Sequence, residues 1–239
     1  MIAGLCRFSL FLFAACLSLQ AQTPATTPVA SPTSAPDVSS IPNDPAAPML
    51  RKAYDLVTKK DLDGALGVVD EAVKNNPKSF ASLTLRGMIY SQKKQWTSAE
   101  ADFNSALAIN PDNMVVKFQL AQIKFLQKDY AAAQTRFQAL TTDPMMGDFA
   151  SYNVFLCNLL GGHEDTAKKE LAGWDEETGP SYFYGKAAWA LFHKNPEEAR
   201  SYLASALNIF PVSKNKFYAS SLIDLGYLPL PAEAPSSAQ

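Results

Sequence analysis

Residues 80–111 read FASLTLRGMIYSQKKQWTSAEADFNSALAINP, and this stretch decides the fold. It ends on Asn110-Pro111, and the pair Asn76-Pro77 stands 34 residues earlier. Asp143-Pro144 follows after 33 more. A fixed period of this size marks a stack of one supersecondary unit rather than a single folded core.

Counting Phe80 as position one, Leu83 is position four, Gly87 eight and Tyr90 eleven. Ala99 falls at twenty, Phe103 at twenty-four, Ala106 at twenty-seven and Pro111 at thirty-two. Two antiparallel helices explain the layout. Small residues at eight, twenty and twenty-seven let the helices approach, and large ones at four, eleven and twenty-four fill the space between. Proline closes the second helix because it lacks an N–H and restricts the residue before it. Units opening at Ala46, Met114, Asp148 and Pro180 repeat the scheme with varying fidelity. The fourth departs most, with Phe155 at position eight and Trp174 at twenty-seven, where small residues are expected. Its helices are expected to sit farther apart or to be irregular, with a soft point near Trp174 and a longer acidic connection through Asp175-Glu176-Glu177.

This pattern resembles the tetratricopeptide repeat family over about Ala46 to Pro211. The resemblance implies an all-α fold: a right-handed superhelical α-solenoid of about five antiparallel helix pairs. A final helix is expected from about Lys214 to Leu225, with Phe217, Leu222 and Leu225 on its apolar side and Gly226 as its stop. Its expected role is to cap the last repeat.

Two segments stand apart from the stack at the N-terminus. Residues 1–21 carry one charge, Arg7, and an apolar run from Phe8 to Leu19 too short to span a bilayer comfortably, the pattern of an export signal. Cleavage after Ala21 leaves Gln22 as the N-terminus. Alternatively, Phe13-Ala14-Ala15-Cys16 resembles a bacterial lipobox, which would make Cys16 a lipidated first residue, although Phe13 departs from the usual Leu. Residues 22–45 form a Pro/Thr/Ser-rich linker that cannot sustain a helix and buries almost nothing. The helical domain is expected over 46–228, and 229–239 form a disordered tail. The expected location is therefore exported: periplasmic or envelope-associated, or alternatively the outer membrane as a lipoprotein.

Net charge is −2 and no basic stripe occurs, so a nucleic-acid partner is not expected. The two histidines, His163 and His193, fall at inter-helix turns with no ligand set at metal spacing. Cys157 lies in an apolar stretch with no base nearby to activate it. No Gly-rich phosphate loop or nucleophile constellation is present, so neither an enzyme nor a cofactor is expected.

What remains is a surface. In the resembled family the first helix of each unit lines the concave face at positions two, five, nine and twelve. Those positions here include Tyr54, Thr84, Met88, Phe118, Gln122, Phe125, Tyr152, Leu156 and Tyr184, an apolar, aromatic-rich set. The expected partner is a segment of another protein held there. Some family members grip a terminal carboxylate with Lys, Asn and Arg. The matching pairs here would start at Lys52 or Lys117, but Leu56 and Ala121 stand four residues on, so that activity does not carry over.

Overall fold

The computed structural model describes residues 46–228. Five helix pairs follow one another: α1 (Ala47–Thr58) with α2 (Leu62–Asn75), α3 (Phe80–Gln92) with α4 (Trp96–Ile109), α5 (Met114–Leu126) with α6 (Tyr130–Gln138), α7 (Gly147–Leu160) with α8 (Glu164–Ala172), and α9 (Pro180–Phe192) with α10 (Pro196–Ile209). A last helix, α11, spans Val212–Asp224, and no strand occurs among the described residues. We call the first helix of each pair A and the second B. A helices α1, α3 and α5 touch in sequence, as do α7 and α9, whereas no comparable contact joins one B helix to the next. The A helices therefore form the inner wall of an α-solenoid and the B helices its outer wall.

The turn between paired helices repeats as faithfully as the prolines. The residue at position fifteen has positive φ in every unit: Lys60 (61°), Lys94 (57°), Lys128 (64°), Gly162 (85°) and Lys194 (60°). In each case the next residue's N–H reaches back five residues to a carbonyl of the A helix, for example Gln95 to Tyr90 and His163 to Asn158, both at 2.9 Å. This is the Schellman closure of a helix C-terminus, with lysine in four units where glycine is the common choice. Three of the five B helices, α2, α6 and α10, then start on side-chain caps. Asp61 accepts from Gly64 N–H at 2.9 Å, Asp129 from Ala132 N–H at 3.2 Å and Asn195 from Glu198 N–H at 3.3 Å.

The small residues act as the spacing implies. A Cβ on Gly87 would stand 2.8 Å from the Phe103 ring, so α3 and α4 meet where glycine leaves room for phenylalanine. Arg86 ties three helices together. Its Nε and one terminal nitrogen donate to both oxygens of Asp102 at 2.7 Å, and its other terminal nitrogen donates to Asp70 at 3.0 Å.

Unit four is irregular in a specific way. α8 has only nine residues and ends at Ala172, so Trp174 lies past the helix rather than on it. The Trp174 ring packs 5.4 Å from that of Phe155, and a Cβ on Gly185 would stand 2.7 Å from it. The large residue at position twenty-seven is thus matched by a glycine on α9. A 3-10 turn, Glu176–Thr178, and Gly179 at φ 100° carry the chain into α9.

Candidate functional site: the inner wall

α11 does not stack on α10 as a further A helix. It runs across the inner wall, over α9, then α7, then α5. At its start the Tyr184 hydroxyl (α9) donates to the backbone carbonyl and to Oδ1 of Asn215, each at 3.1 Å. Ser181 pairs with the Tyr218 hydroxyl at 3.1 Å. In the middle, Ser221 donates to Asn153 Oδ1 on α7 at 3.1 Å, and Asn153 in turn donates to the Phe149 carbonyl at 2.8 Å. At the far end Gln122 Nε2 on α5 donates to Asp224 Oδ2 at 3.0 Å. A 13-residue helix is about 20 Å long, two helix spacings, which is the distance needed to cross three A helices.

Aromatic side chains fill the interface. The Phe217 ring lies 3.7 Å from Phe149 and 6.5 Å from Phe118, centroid to centroid. Tyr218 lies 5.3 Å from Tyr152, 5.0 Å from Phe149 and 5.6 Å from Tyr184. Leu222 is fully buried beside them. Burying a side chain of this size stabilises by roughly 1.5–3 kcal/mol, so three of them hold α11 in place. Burial pushes the phenols of Tyr184 and Tyr218 up to about 12, so both remain neutral donors at physiological pH.

The expectation of an open, exposed lining is corrected by this arrangement. Tyr152 and Tyr184 lie in the core beneath α11, and Phe118 is buried between Phe137 and Phe149, at 5.0 and 5.1 Å, with the Phe217 ring of α11 beyond. Leu156 is fully buried in the same cluster. Phe125 is buried for another reason: it packs 5.7 Å from Tyr130 and 6.4 Å from Phe137, toward α6 of its own unit. Thr84 is buried on α3. Tyr54 and Met88 are half-buried against the two N-terminal clusters. Gln122 is half-exposed at the edge of α11.

Three of these residues share a property that the sequence does not show. The hydroxyls of Tyr54, Thr84 and Tyr152 are enclosed and have no hydrogen-bond partner in the protein. A buried polar group normally finds one. The hydrogen bonds and ring contacts of α11 end at α5, so α11 does not reach the stretch of inner wall on α1 and α3 where Tyr54 and Thr84 lie.

Other chemistry-bearing groups have structural surroundings. Burial pushes the Cys157 thiol well above its ordinary range. His193 bridges the turns of units four and five, 2.9 Å from Glu164 through Nε2 and 2.9 Å from the Trp189 carbonyl through Nδ1. Among the described residues no three His, Cys, Asp or Glu side chains gather where they would hold a metal ion. No helix among them is long and apolar enough to cross a membrane.

Comparison with known proteins agrees with the architecture. Tetratricopeptide repeat profiles match residues 50–113 and 90–143. Among curated proteins, the tetratricopeptide repeat and J domain-containing co-chaperone DNJ1 of Fusarium oxysporum is 27% identical over 134 residues, covering 56% of this chain and 26% of that protein. The DnaJ homolog subfamily C member 7 homolog of Schizosaccharomyces pombe is 23% identical over 177 residues, 72% of this chain and 33% of that protein. The chain thus spans only about a quarter to a third of the curated relatives it matches. Among solved structures, PilW, a type IV pilus biogenesis factor, superposes with a TM-score of 0.55 at 19% identity over 77% of this chain and 88% of PilW. TTC0263, a tetratricopeptide repeat protein of Thermus thermophilus, gives 0.55 at 19% identity over 74% and 99%. At these identities the likeness concerns the fold alone. With the 34-residue period, the repeated turn and the A/B pairing it leads to one assignment: the chain is a tetratricopeptide repeat protein.

Proposed function

We propose that this chain is an exported protein–protein interaction scaffold that holds a segment of another protein against its inner wall. The tetratricopeptide architecture supports the scaffold role. The observation that carries the reading is the N-terminal part of that wall, which α11 does not reach. It presents Tyr54 and Met88, half-buried and apolar, beside two enclosed hydroxyls with no partner, those of Tyr54 and Thr84. Both hydroxyls are enclosed, so a bound segment satisfies them only where its docking opens the surface around them; each costs about 1–3 kcal/mol while unpaired. Gln122 marks where this stretch meets α11.

The test is capture from the native envelope fraction with three full-length proteins. The natural chain and an outer-wall control, Ile109→Ser, should retain the same partner. The double variant Tyr54→Ser/Met88→Ser should lose it at unchanged helicity. Retention by all three sinks the reading.

The lipobox-like Phe13-Ala14-Ala15-Cys16 favours one variation, a lipid-anchored accessory subunit of an envelope assembly complex. Cys16 and the rest of the leader and linker, like the tail 229–239, lie outside the described residues. Mass spectrometry of the mature N-terminus separates the two. A diacylglyceryl Cys16 supports the anchored subunit, and an unmodified Gln22 supports the released scaffold.

A further inference from the structure

α11 is held by the inner wall and by little else. Two residues, Phe210 and Pro211, separate it from α10, and its contacts with α10 are slight beside those with α9. Its outward side carries Ser213, Lys214 and Lys216, all exposed, while Phe217, Tyr218 and Leu222 face the wall. It is therefore an amphipathic helix on a short hinge, laid in a groove that reads it with four polar pairs. The fit has one defect. Tyr152, at the centre of the groove floor, is completely buried beneath the Tyr218 ring, and its hydroxyl has no partner.

We propose that α11 is a resident stand-in for a helix of a partner protein, which binds the floor formed by α5, α7 and α9 by displacing it. The floor specifies the partner's chemistry. Two adjacent aromatic residues fill the places of Phe217 and Tyr218. A small hydroxyl residue faces Asn153, and a carboxylate one turn further faces Gln122. An acceptor opposite Tyr152 supplies what α11 lacks, and one such bond is worth up to about tenfold in affinity. The face of the partner helix that meets the floor is thus aromatic, with one acid near its C-terminal end. Because the occupant must be displaced, apparent affinity is reduced by the fraction of time α11 is bound. This inference rests on the scaffold reading and adds a second, gated stretch to the same wall.

The probe is a labelled peptide of residues 212–228, followed by fluorescence anisotropy against the full chain. Asn215→Ala in the protein removes the bond from Tyr184 to Asn215 Oδ1 and the bond from Asn215 Nδ2 to the Phe210 carbonyl, and leaves Tyr184 only its bond to the backbone carbonyl. The peptide should bind this variant about tenfold more tightly than the natural chain. The same peptide carrying Tyr218→Ala should not bind. Ser221→Ala serves as an independent weakened chain. In the natural chain, hydrogen exchange should show α11 opening while α7 and α9 stay protected. Equal binding to natural and weakened chains, or no binding to either, overturns the proposal. So does opening of α11 only together with α7 and α9. A natural chain that dimerises by exchanging α11 would assign the groove to a second copy instead. None of these outcomes bears on capture by the stretch at Tyr54 and Met88, so the two readings fail separately.

Discussion

The two ends of the inner wall are built from the same helices and finished differently. Over α1 and α3 the wall lies beyond the reach of α11, with enclosed, unpartnered hydroxyls on Tyr54 and Thr84 and a half-buried Met88. Over α5, α7 and α9 the chain's own α11 lies in the groove, and the aromatic floor becomes core. A repeat protein gains its stability from nearest-neighbour contacts. α11 breaks that rule by bridging three units at once. The difference shows that an apolar inner wall is compatible with a stable free chain when a helix covers it, while unmet hydroxyls persist both beyond the reach of α11, at Tyr54 and Thr84, and beneath it, at Tyr152.

The largest expected effect comes from removing the ring at the centre of the covered end. Phe149 touches Phe118, Tyr152, Phe217 and Tyr218. Phe149→Ala should cost about 3–5 kcal/mol in chemical denaturation and release α11. Exchange over α1–α4 should be unaffected, and a uniform loss of protection would show that the two ends are not distinct.

Next come the two glycines that receive a large ring. Gly87→Ala and Gly185→Ala each force a Cβ into an aromatic side chain, at a cost of about 1–3 kcal/mol. Gly87 meets Phe103 in mid-helix, whereas Gly185 meets Trp174 on a connection past the end of α8. The connection yields more readily, so Gly185→Ala should be the milder of the two in thermal melts. The reverse order would show that the irregular fourth unit is as rigid as the second.

The inter-helix turns give a smaller, opposite effect. Lys60, Lys94 and Lys128 hold a left-handed conformation that strains a residue with a Cβ by roughly 1 kcal/mol or more. Glycine there should stabilise by about 0.5–1 kcal/mol per site, after its own entropic cost. Gly162→Ala should destabilise by a similar amount. Differential scanning of the single variants separates these signs.

The smallest effect is electrostatic. The Trp189 carbonyl first, then Glu164, hold the His193 imidazole above its usual value. Its stabilising contribution is therefore complete below the unfolded value of about 6.5 and fades as pH rises through the higher folded value. The site is exposed and screened, so the change should be slight. Urea midpoints of the natural chain and His193→Gln should converge as pH rises and separate as it falls.

Much of this is legible in the sequence, and the rest is hidden for a physical reason. Steric rules written at fixed spacing, such as Gly87 against Phe103, announce themselves in one unit and recur in the next. The shortened α8 is visible as Trp174 at a position that wants a small residue, but its remedy, Gly185, sits in the following unit. α11 is legible as a helix from Phe217, Leu222 and Leu225. Its resting place is not, because the pairs that fix it, Asn153 with Ser221 and Gln122 with Asp224, lie 68 and 102 residues apart. No local period encodes them. The repeat therefore places Phe118, Tyr152 and Tyr184 on the right helices, while their cover stays invisible to it. The positive φ at position fifteen is detectable as Lys or Gly recurring in every unit, once the turn chemistry is known.

The central claim is that α11 occupies the inner wall of the free chain. Proton cross-relaxation in the natural, unliganded protein tests it directly. Contacts between the ring protons of Phe217 and Phe149, and of Tyr218 and Tyr152, should be strong, and the amides of α11 should be protected. Absent cross-peaks, with α11 exchanging as fast as an unfolded segment, would contradict the account.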